Sequence, residues 1–540
     1  MKRFTFLPRV ILGLLLFVTG GGISLAKDTY VTNTAVNGTT YTFKVTSTNT
    51  KDKTANVSLS KIDGTALAKY TASTDINLKD SYSGGTYTSG DTTYTITSMD
   101  AMNRNTTIKT VEMPPTVTSL PWHCFDGCTS LTSVSFPGIT SLPKYCFQEC
   151  TALTTFSIPS IQSIGEYAFK DCSALTGTLT IPSGAYVGYG AFYGTGYTTL
   201  VINTGTEKKA TSFDGNGNAF SNMGNVTKVE IVYGGNKTIP DNTFKGAKFN
   251  ASVVLTIPTD IKGIGAYAFS GANFPKNLDL SKFTFFGSHA FDGNKTITGN
   301  NGVVTFADNA KFTGEQTFLN CTALSGTLTI PNGANIPYRA FDGCSGIKSI
   351  VLHSGMTSGE YGRNGCFMSM SGVKSVSIKY DDGKPTIPAN VFGGASFSKD
   401  GVTLEIDNKI TGIGDYAFNH ANFPTKLDLS NQFTSYGASA FEGNTAFKGN
   451  DGDSIIAVKK PAGKSSVTVG SKAFWIAGAK EIDIYPGVDY SGCGPTDDYY
   501  SNGAGPYNGT NIKTIKFIFT DGITSVPDYL FLHASDIPSN

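Results

Sequence analysis

The chain has 540 residues, a formal net charge of +1 and 15% charged residues, against the roughly 25% usual for a soluble protein. With no run of one sign, nothing steers it toward nucleic acid or an anionic membrane, and 39% hydrophobic with 12% aromatic content argues against wholesale disorder. A globular chain of this length would hold roughly three or four domains, whereas a solenoid, in which each repeat contacts only its neighbours, has no such limit.

The N-terminus reads as a secretory signal peptide over residues 1–26. Lys2, Arg3 and Arg9 form a positive start, residues 10–18 an apolar run, and Ser24-Leu25-Ala26 a small-x-small cleavage pattern, so the mature chain begins near Lys27. The alternative, an uncleaved anchor, asks a short run to span a bilayer. No later segment is long and apolar enough to cross a membrane, and the protein is expected to be exported, extracellular or at the cell surface. Residues 27–97 alternate apolar and polar residues, as in TYTFKVTST (40–48), ANVSLSKI (55–62) and TTYTITSM (92–99), between Gly and Asn-Gly punctuation. They read as a β-rich segment of hairpins, serving as a cap on the first turn of a solenoid or as a small binding domain.

From residue 98 onward one phrase recurs: aromatic-Ala-Phe-x-x-small, then an alternating apolar run. GIGAYAFSGANFPKNLDLSKFT (263–284) and GIGDYAFNHANFPTKLDLSNQFT (412–434) are copies 149 residues apart. The first repeat places Met102 in the Phe position. CFDGCTSLTSVSFP (124–137), CFQECTALTTFSIP (146–159) and AFKDCSALTGTLTIP (168–182) then step by 22 residues. In LTSVSFP, Leu131, Val134 and Phe136 point inward and Ser133 and Ser135 outward, the period of a half-exposed strand, and the following Pro ends the pairing. SIGEYAF (163–169) suits one turn of helix or a 3-10 turn. The phase continues through Phe192, Phe220, Phe244, Phe269, Phe291, Phe318, Phe341, Phe367, Phe392, Phe418, Phe441 and Phe474, with a block near 172–320 duplicated as 321–469. Such fixed-period similarity marks a solenoid of about 17 repeats over 98–540.

Nine cysteines in an exported chain suggest disulfides, with one left over. Yet Cys128, Cys150, Cys172, Cys321 and Cys344 all lie three residues after a repeat Phe, where other repeats use Ala, Asn or Thr. Cys124, Cys146 and Cys366 precede the Phe, where others use Ala. Small packing positions explain these cysteines better than a metal site does. Cys493 fits neither position. It lies in the largest interruption, 485–511, which is rich in Tyr, Gly and Asp and reads as a surface insertion or, with its tyrosines, a binding loop. Beyond it IKTIKFIF (512–519) restores the strand and SVPDYLFLHA (525–534) the Phe phrase, and the sequence stops without a polar end repeat: it is truncated or its end is protected.

The pattern small-Phe-x-x-Cys/small-x-x-Leu-x-x-Val/Thr-x-Ile-Pro, followed by x-Ile-Gly-x-Tyr-Ala-Phe, resembles the BspA-like leucine-rich repeat surface protein family. The resemblance implies a repeat solenoid of β-rich α/β, leucine-rich-repeat type, with a short strand ladder on one face and short helical or 3-10 turns on the other. It also implies an exported protein of a host-associated bacterium, several relatives being adhesins for extracellular-matrix or plasma proteins. The stretched middle repeats and the absence of a recognisable C-terminal anchoring segment depart from that pattern.

No constellation points to an enzyme, and no cofactor or metal is expected. His123, His289, His353, His420 and His533 are isolated from one another. Gly-x-Ser-x-Gly, His-Glu-x-x-His and P-loop patterns are absent. Asp126-Gly127, Asp292-Gly293 and Asp342-Gly343 are turn chemistry. The candidate partner-binding face is the outward row of the strands: Ser135, Ser157, Thr180, Glu230, Thr256, Asp279, Thr329, Ser377, Glu405, Asp428, Asp483 and Lys516, with hydroxyls early and carboxylates later. The other location is the loops. The expected partner is a host or environmental protein or glycan. An adhesin leads. A carbohydrate-capture protein would show exposed aromatic platforms, although Trp122 and Trp475 adjoin repeat Phe positions and are expected to be packed. A structural coat protein would self-associate.

Overall fold

The computed structural model describes residues 29–518 except 36–38, 72–74, 158–160, 360–364, 453, 491–505 and 508–512. The expected signal peptide, Cys493, His533 and the repeat around Phe531 lie outside the described residues. The chain divides into two units, the first reaching Asn236 and including Asn242–Pro258, the second comprising Lys237–Asp241 and the chain from Thr259. Both are β-solenoids.

Each regular repeat runs from a Phe turn into a strand of three to seven residues, then a two-residue strand, then the next Phe turn. Ser133–Ser135 and Ser141–Leu142 are one such set. Strands of successive repeats pair in parallel, Val134 against Phe156 and Leu142 against Ile164. The long strands of the first unit form the orders Asp75–Asn77, Thr110–Glu112, Ser133–Ser135, Thr155–Ser157 and Thr178–Ile181, Thr199–Asn203, Lys228–Val232, Val254–Thr256. In the second unit Val303–Thr305, Gly326–Ile330, Ile347–His353, Ser375–Lys379 and Thr403–Ile406 form one ladder, and Ile455–Val458, Glu481–Ile484 and Thr514–Phe517 another. Val134, Leu200, Val229, Leu328 and Ile350 are buried beneath them.

The core is a file of stacked phenylalanines. In the first unit Phe125, Phe147, Phe169 and Phe192 follow at 5.2, 5.4 and 5.4 Å between ring centroids, within 10° of parallel. In the second unit Phe269, Phe291, Phe318 and Phe341 follow at 5.2, 5.0 and 5.3 Å. All are fully buried, each ring contributing large apolar area and a stacking term of about 0.5–1.5 kcal/mol.

The segment SIGEYAF, expected as one turn of helix or a 3-10 turn, is a pair of overlapping i to i+3 turns, Ala168 to Gly165 and Lys170 to Tyr167, and the repeat before it shows the same pattern. Alternate amides leave the repeat: Tyr145, Phe147 and Glu149 donate to the carbonyls of Glu166, Ala168 and Lys170 at 2.9, 2.8 and 2.8 Å. The amides between them close i to i+3 turns, Gln148 to Tyr145 and Cys150 to Phe147. A helix would keep every amide within the segment. Two left-handed residues per repeat bring this about, such as Tyr145 (φ 59°) and Glu149 (φ 58°). The second position is glycine in the Asp-Gly pairs, Gly127 and Gly293 having φ 71° and 66°, which is why those pairs recur there.

Prolines mark the starts of the short-strand sheets, while Pro337 follows Asn335–Ile336 inside one, where pairing with the strand before it shrinks to Lys311 and Asn335. Gly165 donates its N–H to Leu142 at 2.9 Å, and Gly188, Gly265 and Gly414 do the same for Ile164, Ile239 and Ile387. The short-strand sheets begin at Ser141–Leu142, Thr238–Ile239 and Thr386–Ile387, whose next residues are Pro143, Pro240 and Pro388. A proline has no N–H to give to the repeat before it.

Residues 29–99 form a mixed sheet ordered Tyr30–Thr34, Thr40–Asn49, Thr54–Ile62, Thr92–Met99, Thr86–Ser89. Its hairpins are antiparallel, and Thr92–Met99 lies parallel to Thr54–Ile62. Asp75–Asn77 pairs with Thr110–Glu112 of the first repeat, and Asn105 donates its side-chain amide to the carbonyls of Leu67 and Tyr70.

Candidate binding surfaces

The strand register assembles most of the expected outward row. Glu112, Ser135 and Ser157 are partners across three strands. Thr180, Val201, Glu230 and Thr256 follow one another across four. Thr305, Thr329, Val351, Ser377 and Glu405 do so across five, and Ala457, Asp483 and Lys516 across three. Thr180, Thr256, Glu405 and Lys516 are exposed, and Ser135, Glu230, Thr329, Ser377 and Asp483 half-buried. Glu112, Val201, Thr305 and Val351 also belong to the row. Each stands between two inward residues in sequence, but an outward valine hides the alternation.

Asp279 and Asp428 are not in the row. Asp279 caps the 3-10 turn Leu280–Lys282, its carboxylate accepting from the backbone and hydroxyl of Ser281 at 3.1 and 2.5 Å. Asp428 accepts from the backbone and hydroxyl of Ser430 at 2.8 and 2.6 Å. Partial burial alone would raise the Asp428 pKa, but hydrogen bonds from Ser430, Asn431 and Asn450 outweigh it and hold the carboxyl below its ordinary value. The Asp-x-Ser spacing satisfies the side chain locally, which competes with strand pairing.

Two charges of the row are paired. Lys228 lies 3.0 Å from Glu230 on the same strand, and Lys516 pairs with Glu481. Asp483 has one carboxylate oxygen buried without a hydrogen-bond partner. Burial first, then the charge of Glu481, push its pKa up, with Lys516 opposing. In the second unit an open groove lined by Thr357, Ser358, Pro385, Thr386, Ser435 and Thr468 lies where the short-strand ladder restarts.

The eight described cysteines are free and buried. Where the position three residues after the Phe holds Cys or Asn, it is more than small: it donates. The thiols of Cys128, Cys150, Cys172, Cys321 and Cys344 lie 2.9–3.1 Å from carbonyls of the preceding repeat. Asn294 and Asn444 donate to the corresponding carbonyls of Phe269 and Phe418. Burial pushes the Cys128 thiol up to about 12 and holds Cys124, Cys146 and Cys321 well above the ordinary range, so these are structural thiols, not nucleophiles.

The described histidines are not brought together. His123 faces Asp126 at 2.9 Å, His289 faces Asp292 at 3.3 Å, His353 faces Asp381 at 2.9 Å and His420 faces Asn419 at 2.8 Å. Trp122 overturns its expected packing, being 69% exposed. Trp475 is half-buried, with Lys472 Nζ 4.3 Å from its ring centroid. Within 485–511 the described residues follow the repeat. Val488–Asp489 pairs with Val467–Val469, and Tyr507 stacks on Phe474 at 5.6 Å and 9°. Tyr507 thus takes the Phe position, and the signal was present in Tyr-Asn-Gly (507–509), which matches Phe-Asp-Gly elsewhere.

No curated protein is significantly similar to the chain. Among solved structures, a leucine-rich repeat protein from Bacteroides ovatus is 16% identical, covering 89% of this chain and 98% of its own, with a TM-score of 0.42. One from Eubacterium ventriosum is 18% identical over 77% and 95%, with a TM-score of 0.34. A leucine-rich cell surface protein from Faecalibacterium prausnitzii is 17% identical over 89% and 94%, with a TM-score of 0.24. The family model for the BspA type leucine-rich repeat region matches residues 95–218, 215–348, 300–399 and 363–451, with six copies. Those matches run without a gap from residue 95 to residue 451, through both ladders and most of the Phe file, and the protein belongs to the BspA-type leucine-rich repeat family.

Proposed function

We propose that this is an exported, non-enzymatic surface protein that binds a macromolecular partner through the outward row of its long strands, acting as an adhesin for host extracellular-matrix or plasma proteins. The observation that carries the reading is the register itself. It aligns Thr305, Thr329, Val351, Ser377 and Glu405 side by side on five paired strands, a regular ridge of the kind repeat proteins use for extended contacts. Family membership supports a surface role. Residues 29–99 are read as a cap on the first repeat, supported by the pairing of Asp75–Asn77 with Thr110–Glu112.

The test is binding of the mature chain (27–540) to immobilised fibronectin and fibrinogen, with Glu230→Lys and Glu405→Lys as variants. Saturable binding weakened by these changes supports the row. Binding that ignores them moves the site to the loops. Absence of binding, together with self-association, favours a coat protein.

A further inference from the structure

We propose that the first unit carries a contact site for a neutral, β-linked pyranose chain on the ridge formed by Trp122, Lys144, Glu166 and Tyr189 with the adjoining stack of His123, Tyr145 and Tyr167. This ridge lies on the turns, not on the outward strand row, so its test is independent of the adhesin reading.

Hydrogen bonds between successive turns fix the ridge. The amides of His123, Tyr145 and Tyr167 donate to the carbonyls of Lys144, Glu166 and Tyr189 at 3.2, 2.9 and 2.9 Å. Trp122, Lys144, Glu166 and Tyr189 therefore occupy one position in four consecutive repeats. Beside them His123 stacks on Tyr145 at 4.6 Å and 6°, and Tyr145 on Tyr167 at 5.6 Å and 23°. Tyr189 closes the stack edge-on at 5.2 Å and 85°.

The aromatic residues here are not spent on the core, which the buried Phe file already fills. His123 is exposed, and Tyr145, Tyr167 and Tyr189 are half-buried. His123, Tyr145 and Tyr167 also hold left-handed backbone, with φ of 56°, 59° and 53°. That backbone belongs to the position, which Asn218, Asn242 and Asn390 fill in other repeats and Tyr267, His289 and Tyr416 fill again. Tyr145 and Tyr167 fit the repeat's aromatic-small-Phe phrase, and what sets this stretch apart is the 69% exposed indole of Trp122 beside their stack. Tyr267 and His289 stack similarly in the second unit at 4.7 Å, but their ridge has Ala266 and Ser288 where this one has Trp122 and Lys144.

The chemistry selects the occupant. Lys144 and Glu166 pair at 2.7 Å, Lys170 and Asp171 at 3.5 Å, and Asp126 faces His123. The ridge thus offers donors and acceptors with little net charge. The backbone amides that face the next turn are consumed by it, so no strand edge is open for a peptide, and neither an apolar groove nor a free cationic cluster marks a peptide mode. A pyranose presents C–H bonds on one face and hydroxyls round its rim. The C–H face suits the electron-rich face of an exposed indole, and the hydroxyls suit a line of phenol, ammonium and carboxylate groups.

The experiment uses the mature chain, 27–540, with Trp475→Phe leaving Trp122 as the single indole of the two in the sequence. Cellohexaose and chitohexaose are titrated against its fluorescence, with a gelatin peptide as comparator. The expected result is a saturable change in Trp122 emission with at least one β-linked oligosaccharide. Calorimetry should show affinity falling at least about tenfold in Trp122→Ala and severalfold in Tyr145→Ala. Trp122 is exposed, so circular dichroism of Trp122→Ala should match the parent. The proposal is overturned if neither oligosaccharide changes the emission, if Trp122→Ala binds them equally well, or if only the peptide produces the response.

Discussion

Asn294 tests whether the position after the Phe turn is a packing site or a hydrogen-bonding one. Its side chain is fully buried. Nδ2 donates to the carbonyls of Phe269 at 3.3 Å and Phe274 at 2.7 Å, and Oδ1 accepts from the amides of Thr296 and Ile297, both at 3.1 Å, and from the Thr296 hydroxyl at 2.9 Å. In Asn294→Ala the Phe269 carbonyl keeps the Ala272 amide, and Thr296 is only half-buried, so the loss is counted at Ile297. The buried Ile297 amide loses its acceptor, which costs about 1–3 kcal/mol, and the lost bond to the Phe274 carbonyl adds about 1 kcal/mol or more. The total is about 2–5 kcal/mol.

Cys344 occupies the same position, but its thiol gives one weak bond to the Phe318 carbonyl, which also receives the Cys321 amide. Cys344→Ala should therefore cost about 1 kcal/mol. Because a solenoid need not unfold in one step, the measurement is hydrogen exchange of peptides spanning 290–297 and 340–347. A tenfold loss of protection corresponds to about 1.4 kcal/mol, so Asn294→Ala should lose roughly 30-fold or more against less than about tenfold for Cys344→Ala. Equal losses would refute the argument and return the position to simple packing.

The eight described thiols should stay silent toward an aromatic disulfide reagent in the folded protein and react once it is denatured, since burial disfavours the thiolate. Fast reaction of more than one thiol in the native state would contradict their placement. Asp483 has a folded pKa raised above its unfolded value, so the stability linked to its proton is present below the unfolded value and lost as pH rises through the folded one. Asp483→Asn should accordingly raise the melting temperature near pH 7 and bring little gain near pH 3; thermal melts at both pH values decide it, and a gain confined to acid would reverse the sign of the argument.

The solenoid was legible because its signals are local and repeated: a Phe at fixed spacing, a period-two run after it, and Gly where a left-handed turn residue is needed. What escaped depended on partners elsewhere in the chain. The turn over SIGEYAF has helix-like apolar spacing, but its amides bond to the next repeat, and only the neighbouring turn shows that. Cysteine and asparagine share a position because both donate to a carbonyl about 20–30 residues away, while size alone grouped them with alanine. Val201 and Val351 lie outward among polar neighbours, and hydropathy cannot find an outward valine. Trp122 adjoins a buried Phe in sequence, yet faces solvent because adjacent residues of a turn point in different directions.

The two most similar phrases in the chain, 263–284 and 412–434, also limit the proposed binding face. Their Leu-Asp-Leu runs have the alternation of a strand, but Asp279 and Asp428 bind the serine two residues on, and neither run joins a ladder. The long strands are gathered into short sheets, four and four in the first unit, five and three in the second, among the described residues. A partner reading the outward row meets separate patches of a few side chains each, not one uninterrupted strip. Their compositions differ, with Glu112 and serines on the first, Glu230 beside Lys228 on the second, hydroxyls leading to Glu405 on the third, and Glu481, Asp483 and Lys516 on the fourth. The breaks after the second and third patches are thus set by backbone chemistry that substitutions on the outward side leave unchanged, which lets those side chains diversify without disturbing the stacked core.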